Sequence, residues 1–412
     1  MKAVKLLFTQ ILFFGIIIIC SCESEPEPVL KYDPVCNITN PGVVKSFKKG
    51  TTVAISADAS DENGQIIEVE FIIDNINVET FTESPYNYNW NTNDVSLGDH
   101  LLKVLAKDNE YNVAVDSIII KIIEKDPVAD FIYDKTNIEP WGRIKFNDMS
   151  LNNPTEWKWN FGDGKSSIEQ NPVHIYGRPG TYSVALKVTN GTGSHSVCKE
   201  NIITVDQPQT GTLTDIEGNV YNTIKISEQW WMAENITVTK YNDGNEIPLI
   251  DNNVDWSNLP TPGYCYYDDD ISYKELYGVL YNWYVVETNK LCPEGWHVPS
   301  NEEWVTLELT LGMDTSVVND IGYRGTDEGD KLKSSSGWFN NGNGTNESGF
   351  KALPGGYRNS ATGSFDISGR LYGSFWTSST AARVVTYNNS LISKTYLYKS
   401  VGVSVRCLED QK

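Results

Sequence analysis

One stretch constrains the fold more than any other: YGVLYNWYVVETNKLCPEGWHVPSNEEWVTLELTL, at 277–311. Its first half spaces Tyr277, Leu280, Tyr281 and Tyr284 at i, i+3, i+4 and i+7, which puts four large side chains on one face and predicts a helix. Its second half opens with Ser300, and Glu303 follows three residues later. That is the signature of a capping box, in which the serine oxygen and the glutamate each take an orphan N–H. Trp304, Leu307 and Leu311 then share one face, and Gly312 stands where a left-handed residue would end the helix. Pro293 and Pro299 hold the connection to extended or turn geometry. The stretch reads as a helix, a stiff loop carrying Cys292, and a second helix.

The chain around it has 412 residues, a soft expectation of two to four domains, and 40% hydrophobic residues are enough to build cores. A formal net charge of −21 would repel phosphate backbones, so nucleic acid is not an expected partner. The acidity itself reads as a solubility feature. The seven cysteines contain no C-x-x-C pair, and the four histidines are scattered, so no local zinc motif is indicated. No G-x-S-x-G elbow or H-E-x-x-H is present.

In order, residues 1–22 read as a targeting segment. Lys2 and Lys5 precede an apolar run over 6–19 that is too short for a membrane span. Ile19-Cys20-Ser21-Cys22 resembles a bacterial lipoprotein cleavage box, with a small residue before the cysteine to be modified. The resemblance implies lipidation at Cys22, a membrane partner through that anchor, and a place in the cell envelope, at the surface of the outer membrane. The alternative is an ordinary signal peptide with a stray cysteine. ESEPEPVLKYDP at 23–34 is an acidic, proline-containing tether.

Residues 35–125 show strand alternation. Val69, Phe71 and Ile73, then Leu102, Val104 and Ala106, then Ile118, Ile120 and Ile122, fall on inward faces. DENG at 61–64, Pro85-Tyr86 and AKDN at 106–109 resemble bacterial immunoglobulin-like domains. Asp58, Asp61 and Asp108 could gather around calcium, although EF-hand spacing fails and turn chemistry accounts for the same residues. Residues 126–206 carry WKWNFGDG at 157–164, with Trp157, Trp159 and Phe161 on one strand face and a tight turn after them. PGTY at 179–182 opens a strand with Tyr182, Val184, Leu186 and Val188 on one face. This segment resembles the PKD domain, an immunoglobulin-like sandwich used as a spacer. Cys36 and Cys198, one in each sandwich, read as small buried hydrophobes.

Residues 207–412 hold QWWMAEN at 229–235, GYCYY at 263–267, the organising stretch, GFKALPGGYR at 349–358, FWTSS at 375–379 and VSVRC at 403–407. These motifs, in this order, resemble the Fibrobacter succinogenes major paralogous domain. More distantly, VPSNEEW resembles a helix of formylglycine-generating enzymes. That implies an α+β, C-type-lectin-like fold. The expected fold class is therefore multidomain: two all-β immunoglobulin-like sandwiches followed by an α+β domain.

Val401, Val403, Val405 and Cys407 share a strand face, so Cys407 points inward with Arg406 opposite. In an exported chain, Cys407 is expected to pair with Cys292, with Cys265 as the rival partner for either. Formylglycine-generating enzymes use two late cysteines, whereas here Cys407 is the only one after Cys292, so thiol catalysis is not expected. His297 reads as a hydrogen-bonded structural group. Asp268, Asp269, Asp270, Asp327 and Asp330 could supply a glycosidase carboxylate pair, against the plainer reading of solvated loops. Trp283, Trp304 and Trp376 read as core. Trp338 and Phe339 beside Asn340, Asn341 and Asn343, and Tyr372 beside Arg370, lie in glycine-rich loops. They read as an exposed platform for a sugar, whose C–H face stacks on rings while its hydroxyls take amide partners.

The sequence thus favours a non-catalytic head that binds a glycan or surface protein, carried on two sandwich spacers, with no cofactor beyond possible calcium. A surface glycan-processing enzyme and a structural subunit of a surface assembly stand as the alternatives.

Overall fold

The computed structural model describes residues 33–42, 44–366 and 370–411. Cys22 and the targeting segment expected over 1–22 lie outside these residues. The described residues fall into two compact units that meet in sequence at Lys125 and Asp126.

In the first unit, a three-stranded sheet runs Val35–Asn40, Thr52–Ser60, Tyr86–Asn91. It shares one core with a five-stranded sheet ordered Ser46–Lys48, Val113–Ile123, Gly98–Asp108, Ile66–Ile73, Ile76–Phe81. The alternation has a direct consequence: Val53, Ile55 and Ala57 on one sheet meet Val69, Phe71, Val104 and Ile120 on the other. This is a β-sandwich. Asp61 accepts the N–H groups of Asn63 and Gly64, and Asp108 accepts those of Glu110 and Asn112. Asp58 is exposed. Among the described residues, no three histidine, cysteine or carboxylate side chains are gathered as a metal ion would need. Asp61 and Asp108 are occupied as turn residues.

The second unit begins with another sandwich. Its larger sheet is ordered Asn137–Ile138, Gly193–Val205, Gly180–Asn190, Glu156–Asn160, Ser166–Ser167, and its smaller one Val173–Tyr176, Gly142–Asp148, Phe131–Tyr133. Trp159 sits across from Leu186 and Trp157 from Val188, and Trp159, Phe161, Leu186 and Val188 enter the core. Trp157 is only partly buried, because its indole N–H reaches out to Asp148 Oδ2 at 2.8 Å. Gly162 has φ 85°, and a Cβ there would lie 2.5 Å from the Ser183 carbonyl, so the turn needs glycine. Cys198 is exposed rather than buried, since its place opposite Ala185 puts it on the outer sheet face.

The remainder is built from short strands. A five-stranded sheet is ordered Thr210–Thr214, Val220–Ile226, Gln229–Met232, Leu408–Glu409, Trp296–His297. A four-stranded one is ordered Gly322–Arg324, Ile392–Tyr396, Ala381–Thr386, Tyr372–Trp376. The helix Asn301–Thr310 starts at a complete capping box formed by Ser300 and Glu303, and Trp304, Leu307 and Leu311 pack into one cluster. Gly312, at φ 109°, follows it. No helix among the described residues is long and apolar enough to cross a membrane.

The helix expected over 277–284 does not form as one element. Lys274–Tyr277 is a single turn ended by Gly278 at φ 77°, Leu280–Tyr281 is a strand paired with Tyr264–Cys265, and Trp283–Val286 is a second turn capped by Asn282. At Gly278 a Cβ would stand 2.6 Å from that of Asn235, so close packing of the Asn235 segment replaces helix continuation. Tyr277, Leu280 and Tyr281 are all buried, but in separate clusters instead of along one stripe.

Cys292 and Cys407 are joined in a disulfide, and Cys265 is a buried thiol. Buried charges had no signal in the sequence pattern. Glu308 is fully buried between Arg324 (2.7 Å) and Arg383 (2.6 Å). Arg406 is buried against the Phe350 ring and bonded to Asn235 and to the carbonyls of Phe350 and Lys351.

Candidate ligand-binding surface

Of the expected platform residues, Trp338 is not exposed. It is 4% accessible, packs in the cluster with Trp304 and Phe375, and donates its indole N–H to Ser334 Oγ at 3.0 Å. The glycine-rich setting suggested an exposed loop, but Lys333 Nζ lies over the ring (5.5 Å), itself held by the carbonyls of Gly342, Thr386 and Asn389, and the loop closes around that anchor. Trp338 is thus a foundation, and Phe339 is what projects: it is 41% accessible, with its ring edge-on to Tyr387 at 5.4 Å.

Asn340 and Asn341 are exposed, both with positive φ. Asn343 is half-buried, and its Oδ1 accepts the Trp338 N–H at 3.1 Å, so it shapes the loop. The loop meets the other half of the expected set through one backbone bond, Phe339 N–H to the Arg370 carbonyl, at 3.1 Å. Arg370 is exposed. Two residues on, Tyr372 is half-buried with its ring edge-on to Tyr357 at 5.7 Å. Phe339, Arg370 and Tyr372 therefore belong to neighbouring backbone segments.

Behind them lies an aromatic cluster that the sequence reading did not assemble. Tyr267 packs against Tyr273, Tyr277 and Phe365 at centroid distances of 5.5, 6.0 and 5.4 Å. Asp366 is 7% accessible and joins it: the Tyr267 hydroxyl donates to its carbonyl, its Oδ1 accepts the Tyr357 N–H, and its Oδ2 has no partner among the described residues. Burial pushes the Asp366 carboxyl up, and only hydrogen bonds oppose this. Burial also raises the Tyr277 hydroxyl, with the charge of Arg370 acting against it. Gly356, at φ 68°, makes the approach possible, because any Cβ there would collide with the Asp366 carboxylate and the Tyr267 ring.

Arg358 supports this side from within. Fully buried, it makes a bidentate pair with Asp269 (2.7 and 3.1 Å), bonds to the Ile250 and Gly363 carbonyls, and lies between the Trp256 and Phe365 rings. The carboxylates considered for catalysis are committed elsewhere. Asp269 holds Arg358, Asp270 caps the turn at Ser272, Asp327 pairs with Lys331 and Asp330 with Lys333. Asp268 is exposed. The Cys265 thiol, pushed up to about 12 chiefly by burial, is a poor nucleophile. His297 is fixed between Asp410 (2.6 Å) and the cap residue Glu303 (3.0 Å). The signal that could have found the cluster is GGYR at 355–358, where two glycines beside a tyrosine and an arginine mark a close backbone approach.

Comparisons with known proteins match three domain families along the chain, in the order its motifs imply. Residues 34–104 match the bacterial Ig domain, 124–205 the PKD domain and 224–409 the Fibrobacter succinogenes major domain. Among curated proteins, collagenase ColA of Bacillus cereus is 46% identical over 52 residues, 13% of this chain and 5% of the collagenase. The microbial collagenase of Vibrio alginolyticus is 40% identical over 45 residues, 11% of this chain and 6% of that protein. The chain thus spans only a small fraction of the curated relatives it matches. Among solved structures, the PKD1 domain of the Vibrio cholerae metalloprotease PrtV is 32% identical, covering 20% of this chain and 98% of that one, with a TM-score of 0.17. The fibronectin(III)-like modules of Clostridium thermocellum CbhA are 27% identical over 22% of this chain and 98% of theirs, with a TM-score of 0.20. This chain carries, in order, a bacterial Ig domain, a PKD domain and a Fibrobacter succinogenes major domain.

Proposed function

We propose that the C-terminal domain is a non-catalytic binding head, and that its ligand is a glycan met at the face of Phe339, Arg370 and Tyr372. The observation that carries the reading is the bond between Phe339 N–H and the Arg370 carbonyl, which brings a half-exposed ring, a guanidinium and a second ring onto adjacent segments. Rings offer a stacking surface for sugar C–H groups, and the exposed amides of Asn340 and Asn341 supply donors and acceptors for hydroxyls. Ig-like and PKD domains are typical of extracellular or surface proteins, and in this reading they carry the head away from a lipid anchor at Cys22 in the outer membrane. The commitment of Asp269, Asp270, Asp327 and Asp330 to structural partners favours binding over hydrolysis.

A glycan array probed with the full mature chain tests this. Signal on a defined set of glycans that falls about tenfold or more in Phe339→Ala and Tyr372→Ala supports it, by the size of hot-spot aromatic contacts. An array without signal, or turnover of a polysaccharide by the chain, removes it.

A further inference from the structure

We infer that the PKD sandwich is a working part of the ligand-binding head: it positions the 338–349 loop. This rests on the reading above for what the loop binds, but the coupling itself stands on geometry.

The coupling starts in a turn of the sandwich, Glu139-Pro140-Trp141-Gly142. Its Gly142 N–H donates to the Glu139 carbonyl at 3.0 Å, and Trp141 has φ 69°. Proline followed by a positive φ is a type II turn, whose third position ordinarily takes glycine or asparagine. A tryptophan there is conformationally costly, and such a cost persists where surrounding structure over-determines it. Here the ring is 4% accessible and lies outside the sandwich's own core. It packs instead in the cluster formed by Ile224, Trp231, Trp304, Leu311, Trp338 and Phe350 of the C-terminal domain. Ile175 packs against the same cluster.

Polar contacts frame this plug. Glu139 accepts from Gln209 (2.6 Å) and Lys225 (3.0 Å). Arg178 pairs with Glu347 at 3.2 Å, and a Cβ on Gly177 would stand 2.6 Å from the Glu347 carboxylate and 2.7 Å from the Trp141 ring. Glu347 belongs to the segment that also carries Trp338, Phe339 and Asn343. Trp141 and Trp338 thus share one cluster, and the far end of the loop is gripped by the sandwich. A simple spacer needs none of these contacts.

The test uses the full chain in five forms: the parent, Trp141→Ala, Arg178→Glu, Glu347→Arg and the double charge swap. Scanning calorimetry and hydrogen exchange are the readouts. The expected results are one cooperative transition for 126–412 in the parent and, in Trp141→Ala, exchange roughly tenfold or more faster in peptides spanning 220–232 and 338–352. Arg178→Glu and Glu347→Arg each speed exchange in 338–352, and the double variant restores it. Should Trp141→Ala fail to fold, the charge-swap series decides. Separate melting of the PKD and C-terminal domains in the parent, or unchanged exchange in 338–352 in every variant, overturns the inference whatever the glycan array gives. Altered exchange with no glycan signal upholds the coupling and removes only the ligand reading.

Discussion

Asp366 is the residue whose environment is least explained by folding alone. A buried carboxylate oxygen without a donor is destabilising; Oδ2 of Asp366 has none among the described residues, and burial holds this carboxyl above its ordinary value. The sign follows from linkage. The folded chain keeps this proton when the unfolded chain has released it, so stability is full below the ordinary carboxylate range and falls as pH rises through the raised value. Asp366→Asn removes that penalty. Its melting temperature should match the parent's in acid and exceed it at neutral pH, and a lower value at neutral pH would show that the carboxylate has a partner. His297 and Glu303 behave oppositely. Hydrogen bonding to Glu303, and then to Asp410, raises the imidazole against the effect of burial, while Glu303 is held at about 2 because its bonds to His297 and Ser300 outweigh burial. Their pairing is full above the ordinary carboxylate range and below the ordinary imidazole value. It is lost in acid towards pH 2 and as pH rises through the raised histidine value. Thermal melts of His297→Ala against the parent should therefore converge at alkaline pH and diverge near neutrality, whereas a constant offset would rule the pair out.

At the scale of elements, the helix Asn301–Thr310 and the disulfide organise the C-terminal domain. Glu308 sits on this helix between two arginines. Truncation to alanine leaves two buried guanidiniums uncompensated and should cost about 3–5 kcal/mol in urea unfolding, while a loss below about 1 kcal/mol would mean water reaches the site. The disulfide spans a sequence separation of 115 residues. Paired serine replacement should cost about 2–5 kcal/mol in the same assay, and an unchanged midpoint would deny it a structural role. These elements also show what was legible. Ser300 and Glu303 announce the cap because its partners lie within one turn, and inward cysteines in one domain narrow the pairing. Glu308, Arg324, Arg358, Arg383 and Arg406 leave no such trace, because their partners are distant in sequence. The helix predicted over 277–284 does not form for the same reason: its spacing fits a period of 3.6, but Gly278 and the Asn235 packing that stops it meet only in three dimensions. Trp338 lies in a loop of asparagine and glycine that reads as exposed, and only the Lys333 anchor and the cluster with Trp304 bury it.

For the whole molecule, alternation was enough to read the two sandwiches, because burial of every second residue is local information. The joining of the PKD sandwich to the C-terminal domain was not readable, since Trp141 belongs by sequence to one and by packing to the other. The proposed function turns on recognition at the face of Phe339, Arg370 and Tyr372. The most direct measurement is hydrogen exchange on the full chain with and without the glycan selected from the array. Protection confined to peptides covering 338–343 and 370–373 is the predicted result. Protection on the sandwich faces, or in the groove lined by Trp230 and Asp410, with those peptides unchanged, would contradict it.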